Sequence, residues 1–327
     1  MKFVLTLFLL LLLAAGAAAF LIYIPYGPSS ETFVDIPPRT GATAVASLLR
    51  KNGIIRSRYA FALLRLTRDG TFKAGEYRFD HPAPPGEIYD RLLRGDVYTQ
   101  TLTIPEGYNI FDIAAAVESA GFAKRDVFLA AERQHTELIA GLLPPNTRPA
   151  SLEGYLFPDT YHFSPHATQL QMLTAMVHRF RQTSTQLGLD PANMAHTVIM
   201  ASLIEKEVGQ ETERPLVAGV FVNRLAKSMP LATDPTVIYA ALLDNRWRGT
   251  IYASDLQSPS PYNTYKHTGL PPGPICNPGV ASLRAAMNPS PTDYLYFVSD
   301  AAGHTRFSVG LKEHDEQVHA YRQAEKH

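Results

Sequence analysis

The residues best placed to do chemistry are carboxylates at the end of one apolar stretch. From His196 to Asn223 the chain reads HTVIMASLIEKEVGQETERPLVAGVFVN, and an almost uninterrupted apolar helix pattern over Val198–Ile204 runs straight into Glu205, Lys206 and Glu207. A carboxyl group held against an apolar wall has its ionised form disfavoured, so it can keep a proton to donate near neutral pH. That is what an acid for glycosidic-bond cleavage needs. The plain alternative is a solvated last helical turn, the default for surface charge. Glu205 and Glu207 lie about 200° apart around a helix, so at most one faces a given cleft, and spacing does not choose between them. Glu205 shares its face with Val198, Ala201 and Ser202, and small side chains there leave room for a sugar.

Two further stretches carry side chains that suit a carbohydrate. SLEGYLFPDTYHF, residues 151–163, sets Tyr155, Phe157, Tyr161 and Phe163 around Pro158 and Asp159, with Glu153 just before them. Sugar rings stack on such aromatic faces and bond to nearby carboxylates, while a strand or an aromatic core corner would use the same pattern. Residues 257–279, QSPSPYNTYKHTGLPPGPICNPG, hold six prolines together with Tyr262, Asn263, Tyr265 and Asn277. No regular element fits there, and long irregular loops inside well-patterned domains tend to be functional.

Other chemistries find no footing. The 327 residues carry zero formal net charge, so there is no electrostatic footprint for nucleic acid. The single cysteine, Cys276, excludes an intrachain disulfide and a multi-cysteine metal site. Eleven histidines are scattered; His162 and His166 are separated by Pro165, which spoils a shared helical face. No metal and no cofactor is expected.

The elements that must hold these residues follow from pattern. Phe3–Ile24 is an uncharged run of 22 residues, long enough to cross the roughly 30 Å hydrocarbon core of a bilayer. Its Lys2 start and Ala17-Ala18-Ala19 would suit an export signal, but the apolar run continues to Ile24, and that length favours a retained anchor. The lone charge before it puts the N-terminus in the cytoplasm and the body outside. No cysteine follows the run to take a lipid, and no basic cluster there asks for lipid recognition.

An internal repeat follows. Val34, Ile36, Pro37, Val45, Ala46, Leu49, Gly53 and Ile54 match Leu102, Ile104, Pro105, Ile113, Ala114, Val117, Gly121 and Phe122 at a constant offset of 68 residues. Each copy reads as strand, proline turn, amphipathic helix and helix-ending glycine; two unrelated strand-helix units are the alternative. The first copy continues with a helix near 59–66, a strand near 74–79 and a helix near 87–94. Residues 144–149, PPNTRP, form the clearest loop. Beyond it come helices over 168–186, through Glu205, and from Arg214 to about Lys227, the last capped by Thr212 or Glu213 with Pro215 in its first turn. Asp234 caps a further helix ahead of Pro235, which by itself accounts for an aspartate there. Strands at 294–299 and 306–309, joined by a turn through 301–305, and a polar helix from Leu311 that looks like a solvated cover, end the chain.

In these motifs the chain resembles the MltG (YceG-like) family of endolytic murein transglycosylases: EGYLFPDTY at 153–161, ASLIEKE at 201–207, VAGVFVNRL at 217–225, TDPTVIYA at 233–240, and SPYNTY with GLPPGPICNPG within 260–279. The resemblance implies an α+β protein with an N-terminal transmembrane helix over 1–25, a small LysM-like module over 26–98, and a catalytic domain over 99–327 with a lysozyme-like active-site helix. It implies an enzyme of the inner membrane, its body in the periplasm, working beside peptidoglycan synthases. Such a lyase cuts the β-1,4 bond between N-acetylmuramic acid and N-acetylglucosamine in nascent peptidoglycan glycan strands and leaves 1,6-anhydro ends, limiting elongation. The family's catalytic glutamate maps onto Glu205. Glu153, Tyr155, Asp159, Tyr262, Asn263, Thr264 and Tyr265 are then expected to orient the sugars, with Asn223, Thr233 and Asp234 near the cleft.

A lytic transglycosylase needs one carboxyl group, because the muramyl 6-hydroxyl attacks its own anomeric carbon and neither a nucleophile nor an activated water is required. Two other readings stand beside it. One is a membrane-anchored, non-catalytic peptidoglycan-binding scaffold; the other is a two-carboxylate muramidase pairing Glu205 with Asp234 or Glu153.

Overall fold

The computed structural model describes residues 2–144, 147, 149–299 and 305–324. The chain forms two compact units, one built from residues up to Gln100 together with His162–His166, the other from the rest. Of the expected proline-rich loop, Pro145, Asn146 and Arg148 lie outside the described residues, as does 301–304 of the expected turn.

The first unit opens with α1 (Lys2–Tyr23), 22 residues and about 33 Å long at 1.5 Å per residue. Val4, Leu5, Leu7–Leu13 and Phe20 each leave more than half of their surface exposed. The side chains of Ala14, Ala15 and Ala18 fall outside the described set. Over the described residues no helix is long and apolar enough to cross a membrane, so the expected transmembrane anchor gains no support from the structure. Then come β1 (Thr32–Ile36), α2 (Ala42–Lys51), α3 (Arg58–Leu63) running into a 3-10 turn at Leu64–Leu66, β2 (Gly75–Phe79) and α4 (Pro85–Arg94). β1 and β2 are antiparallel, with Thr32 opposite Phe79 and Ile36 opposite Gly75. Strand alternation turns Val34, Ile36, Tyr77 and Phe79 inward onto Val45 and Leu49 of α2, Phe61 of α3 and Leu92 of α4.

The second unit repeats that opening. β3 (Gln100–Thr103) and α5 (Ile110–Ser119) reproduce β1 and α2, the helices starting and ending at the same 68-residue offset. Gly53 and Gly121 end them with φ of +71° and +79°, a left-handed stop that suits glycine. The copies differ in how the strand is paired: β3 joins β4 (Thr160–Phe163), which comes after α6 (Arg125–Gln134) and a 3-10 stretch at Thr136–Leu142.

Helices fill the remainder: α7 (Gln169–Leu187), α8 (Met194–Glu207), α9 (Arg214–Ala226), α10 (Asp234–Leu243), α11 (Ala253–Leu256) and α12 (Val280–Met287). The hairpin of β5 (Tyr296–Ser299) and β6 (Thr305–Ser308) and the polar helix α13 (Leu311–Ala324) close the chain. Thr168 begins α7 with a capping box to Gln171. Met200, Leu203 and Ile204 of α8 meet Val217 and Phe221 of α9, Tyr239 of α10 and Ile275 in one core. Between α11 and α12, residues 257–279 form neither helix nor strand. The class is α+β. One boundary differs from expectation: Thr233, not Asp234, is the N-cap of α10, and Asp234 is its first residue. Proline is accepted anywhere in a helix's first turn, so Pro235 does not fix the cap to its neighbour.

Candidate active site

α8 ends because Val208 turns extended, with φ −132° and ψ 131°, and this leaves Glu205 in the last turn. Its side chain is only 5% exposed. Both carboxylate oxygens are held: Oε1 accepts from Arg214 Nη2 at 2.9 Å and Oε2 from the Gly279 backbone N–H at 2.9 Å. Arg214, the first residue of α9, is itself buried and reaches a second carboxylate, its Nη1 lying 3.9 Å from Glu106 Oε2. Glu106 rests on bare glycine backbone, since a Cβ on Gly279 would coincide with its carboxylate oxygens. Burial and the neighbouring Glu205 raise the Glu106 carboxyl above its ordinary value, with Arg214 opposing. Lys206 places its ammonium 3.4 Å from the Gly107 carbonyl.

A buried amide-and-acid tie holds this geometry. The Asn277 carbonyl accepts from the Gly107 N–H at 3.0 Å, and the Asn277 N–H donates to the Tyr108 carbonyl at 2.9 Å. The Asn277 side chain donates to the Tyr108 carbonyl and to Glu153 Oε1, at 2.9 and 2.8 Å, and accepts from the Leu156 N–H. Glu153 Oε2 takes the N–H of Ile110, an otherwise orphaned donor in the first turn of α5. Burial pushes the Glu153 carboxyl up to about 8, against the opposing bonds from Ile110 and Tyr239. Glu153 also borders a cavity of about 270 Å³ walled by Tyr155, Tyr262, Ile199 and Pro272–Pro274. It is an interior tie rather than an open sugar ligand.

The other expected residues divide by what their polar atoms already do. Asn263 is fully buried; its amide donates to the Leu256 and Ser258 carbonyls and accepts from the Tyr265 N–H, leaving nothing for a sugar. Thr264 is buried too, accepting from the Thr233 N–H at 3.0 Å and pairing with Thr236. Asn223 spends its amide on the carbonyls of Thr292 and Tyr294. Tyr155 packs edge-on against Phe180 in the core. In this structure these residues clamp loops and pack the core. Burial opposes ionisation of Asp159, but its 2.6 Å bond to Arg179 and the Thr160 N–H outweigh that and hold its carboxyl below the ordinary value. Tyr262 packs at a tilt against Tyr239, ring centroids 5.1 Å apart, its hydroxyl over Gly273.

Tyr265 is more open and donates to Asp234 at 2.7 Å. That pair stands near Glu207, whose half-buried carboxyl is pushed up to about 7 by burial and then by Asp234, with Arg224 opposing. The two glutamates at the end of α8 therefore serve different neighbourhoods, Glu205 with Arg214 and Glu207 with Asp234 and Arg224.

The space beside Glu205 also differs from expectation. Ser202 Oγ accepts the Ile275 N–H at 3.1 Å, Cys276 Sγ donates to the Ser202 carbonyl, and Val198 abuts the position where Gly154 lacks a Cβ. Small side chains on this face admit the 274–277 segment, not a sugar. Glu106, Arg214 and Gly279 were not among the expected site residues, and Asn277 was noted only as part of the 257–279 stretch. A sequence signal for Glu106 exists: Pro38 and Arg39 stand at the equivalent places of the first repeat. Arg39 and Gly107 share a left-handed backbone, φ +62° and +78°, so the turn is kept while the side chain before it changes from proline to glutamate. Among the described residues no group of three His, Cys, Asp or Glu side chains is arranged to hold a metal ion.

The YceG-like family profile matches residues 34–320. A Bacillus subtilis protein named endolytic murein transglycosylase is 35% identical over 319 residues, 91% of this chain and 87% of its own length. A Streptococcus pneumoniae protein of the same name is 30% identical over 327 residues, covering 90% of this chain and 59% of that longer protein. The 2.6 Å crystal structure of a YceG-like protein from Listeria monocytogenes, 32% identical, superposes with a TM-score of 0.55 over 88% of this chain and 99% of its own. With a profile match over most of its length and relatives of this identity, the chain belongs to the YceG-like family.

Proposed function

We propose that this protein is an endolytic murein transglycosylase that cuts the β-1,4 bond between N-acetylmuramic acid and N-acetylglucosamine inside peptidoglycan strands. The observation that carries the reading is the buried, two-point fixation of Glu205, found in a chain whose relatives bear that activity as their name. Glu205 protonates the oxygen leaving with N-acetylglucosamine as the bond from the muramyl C1 breaks. The muramyl 6-hydroxyl closes on C1, and Glu205, now a carboxylate, takes its proton. No water is consumed, and the tethered hydroxyl supplies a high effective concentration of nucleophile. Glu205→Gln should abolish release of anhydro-ended fragments while the chain still folds and binds sacculi. Release at the wild-type rate, or products with reducing ends that carry one more water per cut, would overturn the assignment.

The finer parts of this reading rest on sequence and on local architecture. The β1-α2-α3-β2 order with an antiparallel pair supports a LysM-like module over 26–98 that holds glycan. Full-length Glu205→Gln protein should be retained on sacculi, and deletion of 26–98 should release it. The helix carrying Glu205 is taken as lysozyme-like. The uncharged sequence run Phe3–Ile24 is what supports the proposal of an anchor in the cytoplasmic membrane, N-terminus inside and body outside, beside peptidoglycan synthases. Recovery of the full chain from the soluble periplasm, rather than from membranes, would sink the anchor.

A further inference from the structure

Arg214 is buried, its side chain 7% exposed, yet among the described residues only Nη2 has a hydrogen-bond partner; Nε and Nη1 have none. Nη1 faces Glu106 Oε2 at 3.9 Å, too long for a hydrogen bond and close enough for an ion pair. Glu106 is 48% exposed at its side chain where Glu205 is 5%, so the two carboxylates are an outer and an inner member around one guanidinium. Both are located by the same backbone, with Gly279 donating its N–H to Glu205 and bearing Glu106 on its bare Cα. Arg214 and the Gly279 N–H can only donate. When Glu205 gains a proton it loses the charge that holds Arg214, and a buried guanidinium needs another anion.

We infer that Glu106 is a positioning residue for Glu205: the two share Arg214, which turns its free Nη1 onto Glu106 as Glu205 takes up the proton it will donate. The step moves no covalent bond. One ion pair closes as another loosens, and the net charge buried at Arg214 stays balanced. The inference rests on the proposed role of Glu205 as acid. The charged and titratable groups facing the pair are Arg214 from α9, Lys206 from α8, Glu211, which acts on Glu106 from the turn before α9, and the buried Cys276 thiol. None of these offers Arg214 Nη1 a hydrogen bond.

The test is the pH profile of kcat/KM on purified glycan strands for full-length wild type, Glu106→Gln, Glu106→Asp and Glu205→Gln, each checked for an unchanged melting temperature. Glu106→Gln removes the alternative anion, so protonated Glu205 is less well supported. The alkaline limb should move down by about one pH unit, giving roughly a tenfold loss at pH 8 and less than about threefold near pH 5. Glu106→Asp keeps the charge and should restore most of the limb. A Glu106→Gln profile that superimposes on wild type overturns the inference, as does a uniform loss at every pH with the limb unmoved. If Glu205→Gln still makes anhydro ends, the proposed function fails; if it is dead while the Glu106→Gln limb stays in place, this inference fails alone.

Discussion

The backbone N–H of Gly279 donates to Oε2 of Glu205 across 2.9 Å, joining residues 74 apart in sequence. Gly279 is also the N-cap of α12, with φ −80°, a conformation any residue adopts. Its lack of a side chain is therefore about space, not backbone freedom.

Gly279→Ala should fold normally and lose activity. The new methyl group occupies the Glu106 carboxylate's place and must push that side chain or the backbone N–H away. If Glu205 is the acid proposed above, displacing its oriented donor should cost on the order of 100-fold. A wild-type rate of anhydro-product release with unchanged melting temperature would show that the close approach is incidental.

Arg214→Ala should be unstable as well as inactive. Removing one member of a buried ion pair leaves an uncompensated charge, worth about 3 kcal/mol or more. The loss should be smaller in the Glu205→Gln background, because the stranded carboxylate is then absent. Urea unfolding of both singles and the double gives the coupling directly, and strict additivity would contradict the contact.

Glu153 predicts a pH-dependent stability of defined sign. Its folded value of about 8 lies above the ordinary carboxylate value of 4.5, so between the two the folded chain binds more protons than the unfolded one. Stability must then fall as pH rises through that window. Wild type should lose on the order of a few kcal/mol from pH 5 to 8 through this group. Glu153→Gln should show a flatter dependence over the same range by thermal melting; parallel curves would remove Glu153 as the cause.

Gly219 predicts a packing effect far from charge. It lies in α9, and a Cβ there would run into the Ser290 carbonyl oxygen and the Thr292 methyl group. Gly219→Ala would gain about 1 kcal/mol of helix propensity in isolation, but the clash should make the protein less stable by about 1–3 kcal/mol. A raised melting temperature would show that the segment at 290–292 yields freely.

Much of this architecture could be read from residue order. The helix start near 168, and Pro215 behind Glu213, are sequence readings that the structure reproduces, because helix ends are set locally. The 68-residue repeat was legible for the same reason. What could not be read was which polar atoms are already satisfied. Asn263, Thr264 and Asn223 look like sugar ligands by type, yet Asn263 bonds to carbonyls and an amide of its own loop, and Thr264 and Asn223 to groups brought in from distant stretches. Arg214 escaped notice because a first-turn arginine is ordinarily solvated, and only tertiary packing buries it between Glu106 and Glu205. Pattern reports faces and ends; it does not report who has been spoken for.

The carboxylate cluster draws on four separate stretches, at 106–108, 205–206, 214 and 277–279. No single helix, hairpin or folding intermediate lacking one of them can assemble it. With Glu205 as the proposed acid, a partly made or partly unzipped chain that lacks one of these stretches has no assembled site with which to cut glycan. In rising urea, bond cleavage and the global unfolding transition should disappear together, so that the wall is exposed to a finished enzyme or to none.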